Sequence, residues 1–293
     1  MTKFEGALTA LVTPFKSGEI DEPALRDLVD RQIAGGIDGL VPCGTTGESV
    51  TLTTEEHARV VRIVVEQAAG RVPVVAGAGT VSTRHTIELA QIAREARADG
   101  LLLVAPYYNR PTQAGLVAHF RAVLHEVPMP AILYNIPSRT GVDITADTIE
   151  RLAEVREIVG VKEASGNVLR AQEIVARTGD RFSVLSGDDA LVLGILAVGG
   201  RGVISVTSNL APAEVKAVIR KWRAGAHDEA RALHLRLLPL HEALFCESNP
   251  GPVKAALAMA ARVAAEIRLP LVWPTSDSQD RIRAALTKSG ITP

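Results

Sequence analysis

Eight apolar, strand-like runs alternate with helix-like segments up to about residue 206 of this 293-residue chain. Strict alternation of strands and helices implies a parallel sheet, and eight repeats are the number that closes into a barrel. No glycine-rich dinucleotide fingerprint follows the first strands, which argues against an open doubly wound sheet. The sequence therefore predicts an α/β fold of the (β/α)8 TIM-barrel class, followed by a C-terminal helical extension.

The predicted strands are short runs of Val, Leu, Ile and Ala with turn residues at their ends. They cover residues 7–12, 39–43, 72–76, 100–105, 131–136, 158–163, 182–186 and 202–206. The segments between them place apolar residues at i, i+3 and i+4, which is the spacing of a helix with one buried face. Leu25, Leu28 and Val29 begin the first of these patterns.

After residue 208 the alternation ends and only helical patterns follow. They cover residues 212–222, 227–245, 252–267 and 278–288. We therefore expect a barrel over residues 1–224 and a C-terminal helical extension over residues 225–293 that packs on the barrel.

The composition excludes several classes of protein. A net charge of −1 gives no sign of a nucleic acid or an anionic membrane as partner. No apolar run reaches the roughly 18 residues that a membrane span needs, and the N-terminus lacks a signal-peptide pattern. Cys43 and Cys246 lie far apart, and the seven histidines show no metal-ligand spacing. We therefore expect a soluble, cytoplasmic protein without a metal site.

Polar and glycine-rich sequences follow the predicted strands, whereas the helices end in plain glycine stops. In a (β/α)8 barrel the segments after the strands meet at the C-terminal face, where active sites of this fold are built. The adjacent acids Asp188 and Asp189 lie in one such segment, but their place before a helix favours an N-capping role. The sequence therefore predicts a site at the C-terminal face of the barrel.

Lys162 is the one lysine, of seven in the chain, that is predicted to lie in the middle of a strand. Alternation places it on one face with Ile158, Gly160 and Ala164, and leaves Glu163 on the other. Burial favours the neutral amine, which is a nucleophile for carbonyl carbons. This pattern indicates a Schiff-base enzyme, and the alternative is a lysine paired with a carboxylate across the barrel.

Tyr134 lies in the strand just before the one that carries Lys162. Alternation groups it with Ile132 and Ile136, and neighbouring parallel strands are under about 5 Å apart. A phenol at this place could move protons to and from an adduct on the lysine. The alternative is a core tyrosine whose hydroxyl bonds to a neighbour.

Three loops after strands carry further candidate residues. Residues 44–49, GTTGES, are suited to hold a small carboxylate on backbone N–H groups and hydroxyls, although an ordinary turn with a helix cap is equally compatible. Tyr107 and Tyr108 lie in a loop framed by prolines, which is typical of a ligand or subunit contact or of local loop packing. Arg139 could bind a carboxylate or be solvated.

Six motifs in order resemble the dihydrodipicolinate synthase family. This family belongs to the superfamily of pyruvate-dependent class I aldolases, which also contains N-acetylneuraminate lyase and 2-keto-3-deoxy-sugar-acid aldolases. The motifs are GTTGES at 44–49, APYYNRPTQ at 105–113, YNIPSRTG at 134–141, GVKEASGN at 160–167, LSGDD at 185–189 and GVISVTSN at 202–209. The match also includes SNPGPVK at 248–254.

The resemblance implies a set of catalytic residues. Lys162 is similar to the lysine that forms a Schiff base with pyruvate, and Tyr134 to the group that transfers protons to and from the adduct. Thr45 and Tyr108 resemble the rest of a proton relay in which the neighbouring subunit contributes the loop tyrosine. The family needs no cofactor and forms homotetramers built from tight dimers.

The resemblance also implies a set of substrate-binding residues. Thr46 and the backbone of its loop resemble the site of the pyruvate carboxylate, with Gly187 and Ile204 around it. Arg139 is similar to the arginine that receives the carboxylate of aspartate semialdehyde.

A possible effector site follows from the same resemblance. Ser49, His57 and Tyr107 match the positions that bind lysine in members of the family that lysine inhibits. Val81 and His85 replace polar residues of that site, so inhibition by lysine is open.

The function implied is condensation of pyruvate with L-aspartate-4-semialdehyde to 4-hydroxy-tetrahydrodipicolinate, a step of lysine and diaminopimelate biosynthesis. The alternative enzyme is an aldolase that forms pyruvate from a 2-keto acid such as 4-hydroxy-2-oxoglutarate or a keto-deoxy sugar acid. Arg139 favours the synthase, because the related sugar-acid lyases lack that arginine. A non-catalytic paralogue is a third hypothesis, and the intact set of catalytic residues argues against it.

Overall fold

The computed structural model describes residues 4–292. Eight parallel strands form a ring, and each overlaps its predicted run: β1 (Gly6–Ala10), β4 (Gly39–Val41), β5 (Val75–Gly77), β6 (Gly100–Val104), β7 (Ala131–Asn135), β8 (Ile158–Glu163), β9 (Ser183–Ser186) and β10 (Gly202–Ser205). An isolated bridge between Leu40 and Val74 closes the ring between β4 and β5. A small antiparallel hairpin, β2 (Phe15–Lys16) and β3 (Glu19–Ile20), follows β1 and was not predicted.

The helices cover the outside of this ring and form the C-terminal extension. They are α1 (Glu22–Ala34), α2 (Thr54–Ala68), α3 (Thr83–Glu95), α4 (Gln113–Glu126), α5 (Pro137–Thr140), α6 (Ala146–Leu152), α7 (Val168–Thr178), α8 (Val192–Ala197), α9 (Pro212–Arg223), α10 (His227–Ala243), α11 (Gly251–Met259) and α12 (Ser276–Lys288). The predicted (β/α)8 barrel with appended helices is therefore confirmed.

The helix predicted at 252–267 is wrong at its C-terminal end, because α11 ends at Met259. Ala261 adopts a left-handed conformation with a φ of 53°, and the Arg262 N–H donates to the Leu257 carbonyl at 2.9 Å. Both features are typical of the C-terminal end of a helix. The chain then leaves the helix and brings Arg268 to the loop after β4, which apolar periodicity alone does not reveal.

Two apolar layers hold the barrel together. The inner layer fills the ring with strand side chains, among them Leu8, Val41, Ile132 and Ile204. The outer layer lies between the ring and the helices and contains the opposite face of each strand. Because successive residues of a strand point to opposite faces, the short apolar runs of the sequence supply both layers at once.

One predicted strand face is wrong in part. Gly160, Lys162 and Ala164 share the inner side as expected, but Ile158 lies in the outer layer and Val159 in the inner one. The cause is a register shift between β7 and β8, in which Ala131 pairs with Ile158 and Ile132 pairs with Gly160. The extra residue of this bulge reverses the alternation at the start of β8 and leaves the face of Lys162 unchanged.

Candidate active site

Lys162 and Tyr134 lie side by side at the C-terminal ends of their strands. They are register partners on β8 and β7, and the Lys162 Nζ lies 4.3 Å from the centroid of the Tyr134 ring. Each residue is only 4% exposed. The alternation of the sequence thus correctly predicted that these two side chains meet.

Lys162 has no acidic partner in the part of the chain that the structure describes. The lysine ion pairs there involve Lys216, Lys221 and Lys254. The adjacent carboxylate, Glu163, accepts hydrogen bonds from the Ser165 N–H at 2.7 Å and from the Asn135 side chain at 3.0 Å. These observations favour a reactive lysine over one neutralised across the barrel.

Glu163 is itself buried beneath the helices. Burial raises the pKa of its carboxyl group, and the hydrogen bonds from Ser165 and Asn135 oppose that shift. The bonds hold the carboxyl group in place on the outer side of β8, so its charge is kept away from the amine one residue earlier.

Gly187 provides the space that the Lys162 side chain occupies. A Cβ atom at this position would lie 3.1 Å from the Lys162 Cε and 2.5 Å from the Ala164 Cβ. The Gly187 N–H also donates to the Glu163 carbonyl at 2.7 Å. Glycine is therefore required here by close approach.

A cavity of about 380 Å³ opens beside Tyr134 at the C-terminal face of the barrel. Its walls include Thr45, Tyr107, Tyr134, Arg139 and Asn249. Such a volume suits a small metabolite. Four other predicted residues, Lys162, Thr46, Gly187 and Ile204, do not line this cavity. Lys162 contacts the Tyr134 ring, and Ile204 packs in the inner layer with Tyr134.

The loop after β4 is held in an unusual backbone conformation. Cys43 and Glu48 both have left-handed φ angles, of 54° and 55°. The Thr46 side chain is buried, and its Oγ1 accepts a hydrogen bond from the Asn249 side chain at 3.0 Å. Thr45 is half-buried on the cavity wall. Left-handed non-glycine residues are uncommon and occur often at functional sites, which supports a binding role for this loop.

Arg139 reaches the mouth of the cavity from the short helix α5. Its Nη2 donates to the Asn249 main-chain carbonyl at 3.0 Å, which fixes the guanidinium without neutralising it. The side chain retains donors that are free to bind a carboxylate of a ligand.

Tyr107 and Tyr108 point to different surroundings. Tyr107 lines the cavity and is half-buried, and burial raises the pKa of its phenol. Tyr108 has a left-handed φ of 69° and is 92% exposed. The structure of one chain therefore does not bring Tyr108 to its own Lys162.

A second cavity of about 150 Å³ lies next to the first and contains all three predicted effector-site residues, Ser49, His57 and Tyr107. Val81 and His85 also line it. Burial lowers the pKa of His57, whose Nε2 lies 2.7 Å from the Gly77 carbonyl oxygen.

Sequence reasoning missed Asn249, Glu48 and Lys254. Asn249 is 5% exposed, contacts both Thr46 and Arg139, and its Oδ1 has no hydrogen-bond partner within residues 4–292. Glu48 and Lys254 form a buried ion pair beneath the loop. The run SNPGPVK is a signal for two of these residues, but their contacts join positions 110 to 206 residues apart and cannot be derived from local patterns.

The structure also bears on the classes that the composition excluded. Among residues 4–292 there is no group of three or more His, Cys, Asp or Glu side chains arranged to hold a metal ion. No helix in the same part of the chain has the length and apolarity needed to span a lipid bilayer.

Comparison with known proteins gives one consistent result. Residues 3–289 match the dihydrodipicolinate synthetase family. The 4-hydroxy-tetrahydrodipicolinate synthase of Syntrophus aciditrophicus is 52% identical over 288 residues, which are 98% of this chain and 99% of that one.

Two solved structures agree closely with this fold. Dihydrodipicolinate synthase from Aquifex aeolicus is 47% identical, with a TM-score of 0.97 over 98% of this chain and 99% of that one. A monomeric dihydrodipicolinate synthase variant is 39% identical, also with a TM-score of 0.97, over 98% of this chain and 97% of that one. Sequence and fold thus agree along the whole length of the relatives, and the chain belongs to the dihydrodipicolinate synthetase family.

Proposed function

We propose that this protein condenses pyruvate with L-aspartate-4-semialdehyde through a Schiff base on Lys162 and forms 4-hydroxy-tetrahydrodipicolinate. The observation that carries the proposal is a buried lysine that has no acidic partner among residues 4–292 and packs on a tyrosine beside a cavity for a small metabolite. Such a lysine is available as a nucleophile, whereas an ion-paired lysine is not.

The chemistry follows from the positions of these groups. The neutral Lys162 amine attacks the keto carbon of pyruvate and water leaves, which gives an imine. Loss of a proton from the pyruvate methyl group forms an enamine, whose carbon attacks the aldehyde of the second substrate. The amino group of that substrate then attacks the imine carbon and releases Lys162, so the ring closes and the enzyme is regenerated.

Each step needs protons to be moved and charges to be held. We assign to the Tyr134 hydroxyl the proton transfers of imine formation and release, because its ring packs against the Lys162 amine; Thr45 lies on the wall of the same cavity. Thr46 and the backbone of its loop hold the carboxylate of pyruvate, and Gly187 and Ile204 shape the surrounding wall. Arg139 binds the carboxylate of the semialdehyde.

The synthase is favoured over the pyruvate-forming aldolases by two observations. The relatives that match along the whole chain are named as 4-hydroxy-tetrahydrodipicolinate synthases. Arg139 also lies at the cavity mouth with free donors for a second carboxylate. The imine supplies the electron sink of the reaction, so the proposal needs no cofactor.

We further propose that the enzyme acts in the cytoplasm as a homotetramer made of two tight dimers. The exposed Tyr108 supports a relay shared between subunits, because it does not line the cavity of its own chain. The cavity of Ser49, His57 and Tyr107 is the corresponding candidate for an effector, with Val81 and His85 altering what it accepts.

Borohydride reduction tests the Schiff base directly. Incubation with pyruvate and borohydride is expected to add a reduced pyruvate adduct to Lys162, because an imine is reduced to a stable secondary amine. Peptide mapping by mass spectrometry locates the adduct. Lys254 is the internal control, since it is buried but paired with Glu48. An adduct on Lys254, or on no lysine, would refute the mechanism.

The second substrate needs its own test. Pyruvate consumption is measured with aspartate semialdehyde, with the same aldehyde lacking its amino or carboxylate group, and with sugar-derived aldehydes. Aspartate semialdehyde is expected to give the highest kcat/KM. A higher value for a sugar-derived aldehyde would identify the enzyme as an aldolase instead.

A further inference from the structure

Glu48 and Lys254 form the most buried ion pair in the described part of the chain. The Lys254 Nζ lies 2.5 Å from the Glu48 Oε1, and their side chains are 0% and 1% exposed. Burial lowers the pKa of Lys254, and the Glu48 carboxylate opposes that shift. Removing two charges from water costs about as much as their attraction returns, so stability alone is a weak reason for such a pair.

Both oxygens of the Glu48 carboxylate are bonded to the C-terminal part of the chain. Oε1 binds Lys254 of α11, and Oε2 accepts the backbone N–H of Arg268 at 3.0 Å. The Lys254 amine and the Arg268 guanidinium also lie 4.3 and 4.2 Å from the centroid of the Phe15 ring, so both cations make cation–π contacts with the same ring. Glu48 is therefore held rigidly from outside its own loop.

The same loop carries the residues proposed to bind pyruvate. The Glu48 N–H donates to the Thr45 carbonyl at 3.1 Å, and the left-handed φ of Glu48 turns the chain at this point. A second anchor comes from the same C-terminal segment, because the Asn249 side chain donates to the Thr46 Oγ1. A non-glycine residue in this conformation is strained, and it persists only where its surroundings impose it.

We infer that Glu48 and Lys254 are positioning residues, which fix the loop of Thr45 and Thr46 so that it can receive the carboxylate of pyruvate. Neither residue takes part in the chemistry. The ion pair fixes the backbone conformation of the loop. Because Glu48 lines the cavity, Lys254 also neutralises a carboxylate that would otherwise repel the substrate. This inference rests on the proposed function.

The test compares two variants that remove the pair in different ways. Glu48→Gln keeps the shape of the side chain and removes its charge. The double variant Glu48→Met and Lys254→Met replaces the pair by apolar side chains of similar length, a change that buried pairs often tolerate in stability. Lys216→Met is the matched control, because Lys216 pairs with Asp38, outside both cavities.

The expected result is a KM for pyruvate raised by about tenfold or more in either folded variant, because a misplaced loop binds the substrate poorly. The KM for the aldehyde should stay within about threefold of the wild-type value, since Arg139 has its own anchor. Circular dichroism and gel filtration establish that each variant is folded. The Lys216→Met protein should have unchanged kinetics.

The outcomes separate this inference from the proposed function. If the wild-type protein forms the reduced pyruvate adduct but a folded variant keeps the wild-type KM for pyruvate, the pair is structural only and the inference fails. If the wild-type protein forms no adduct, the proposed function fails. If the double variant does not fold, Glu48→Gln decides, and an unfolded Glu48→Gln protein would place the role of the pair in folding and refute the inference.

Discussion

Lys162 and Lys254 show that burial alone does not determine the chemistry of a lysine. Lys254 lies against Glu48 and over Phe15, so its ammonium form has both a counterion and a ring face. Lys162 lies over the Tyr134 ring but has no counterion within the described part of the chain, and Gly187 leaves room around its side chain. The first arrangement ties the amine to a fixed partner, whereas the second leaves an amine that can react.

Replacement of Tyr134 by phenylalanine should lower kcat by about 10²-fold or more, because an acid–base group of the reaction is lost while the ring and its packing remain. Steady-state assays of the purified variant measure this effect.

The control for this variant is imine formation itself. Borohydride should still trap pyruvate on Lys162 in the Tyr134→Phe protein after a long incubation, since the nucleophile is intact. A near-normal kcat in this variant would show that Tyr134 contributes only to core packing.

At the residue level, the sequence predicted which side chains meet when they lie on neighbouring strands. The pairing of Lys162 with Tyr134 follows from strand alternation, and it survives the bulge that moved Ile158 to the outer layer. The contacts of Asn249 and Glu48 could not be predicted in this way. They depend on where the C-terminal segment crosses the barrel mouth, which tertiary packing determines.

Among the secondary-structure elements, the contact between α3 and α4 contains a buried histidine. The His119 Nδ1 lies 2.9 Å from the Thr83 Oγ1, and its Nε2 has no partner within residues 4–292. Burial lowers the pKa of His119 to about 4. The folded protein thus holds His119 neutral at pH values where the unfolded chain binds a proton.

This difference predicts a pH effect on stability. The folded-state pKa lies below the unfolded value near 6.5, so stability is lost as the pH falls from about 6.5 to about 4. A His119→Gln variant lacks this titration. Between pH 7 and pH 4.5 the wild-type protein should lose about 2 to 3 kcal/mol more unfolding free energy than the variant.

Urea unfolding of both proteins at the two pH values measures this difference. All other histidines are common to both proteins, so their contribution cancels in the comparison. Equal losses in the two proteins would show that His119 is protonated in the folded state or does not titrate in this range.

The elements were the best predicted part of this molecule. All eight strands overlap the short apolar runs that predicted them, because a sheet buried on both faces leaves a clear signal; only β5 is clearly displaced, since it begins at Val75 and not at residue 72. The end of α11 and the hairpin after β1 were not predicted. A left-handed alanine at position 261 has no sequence signature, and a hairpin of two-residue strands is too short to show alternation.

At the level of the whole molecule, the exposed Tyr108 predicts that activity depends on assembly. If it completes the relay of a neighbouring subunit, then Lys162→Ala and Tyr108→Phe proteins are each inactive alone. In mixed dimers the site of the Tyr108→Phe chain keeps its own Lys162 and receives an intact Tyr108 from its partner. Mixing the two proteins under conditions of subunit exchange should therefore restore activity, measured by the coupled assay.

Subunit exchange has to be demonstrated independently, for example with differently tagged chains. A mixture that exchanges subunits but shows no more activity than its two parents would place the role of Tyr108 within its own chain, or remove it from the relay.

The hydrogen bonds of the Glu48 carboxylate also determine when, during synthesis of the chain, its loop can be anchored. Its carboxylate is bonded to residues that the ribosome adds 206 and 220 positions later. At about 5 to 20 residues per second, the loop of Thr45 and Thr46 waits roughly 10 to 40 s for Lys254. The eight barrel strands are complete at Ser205, before any of these partners exists. All eight strands of a nascent chain are therefore synthesised before the partners of Glu48, and the loop of Thr45 and Thr46 gains these anchors only when translation is nearly over.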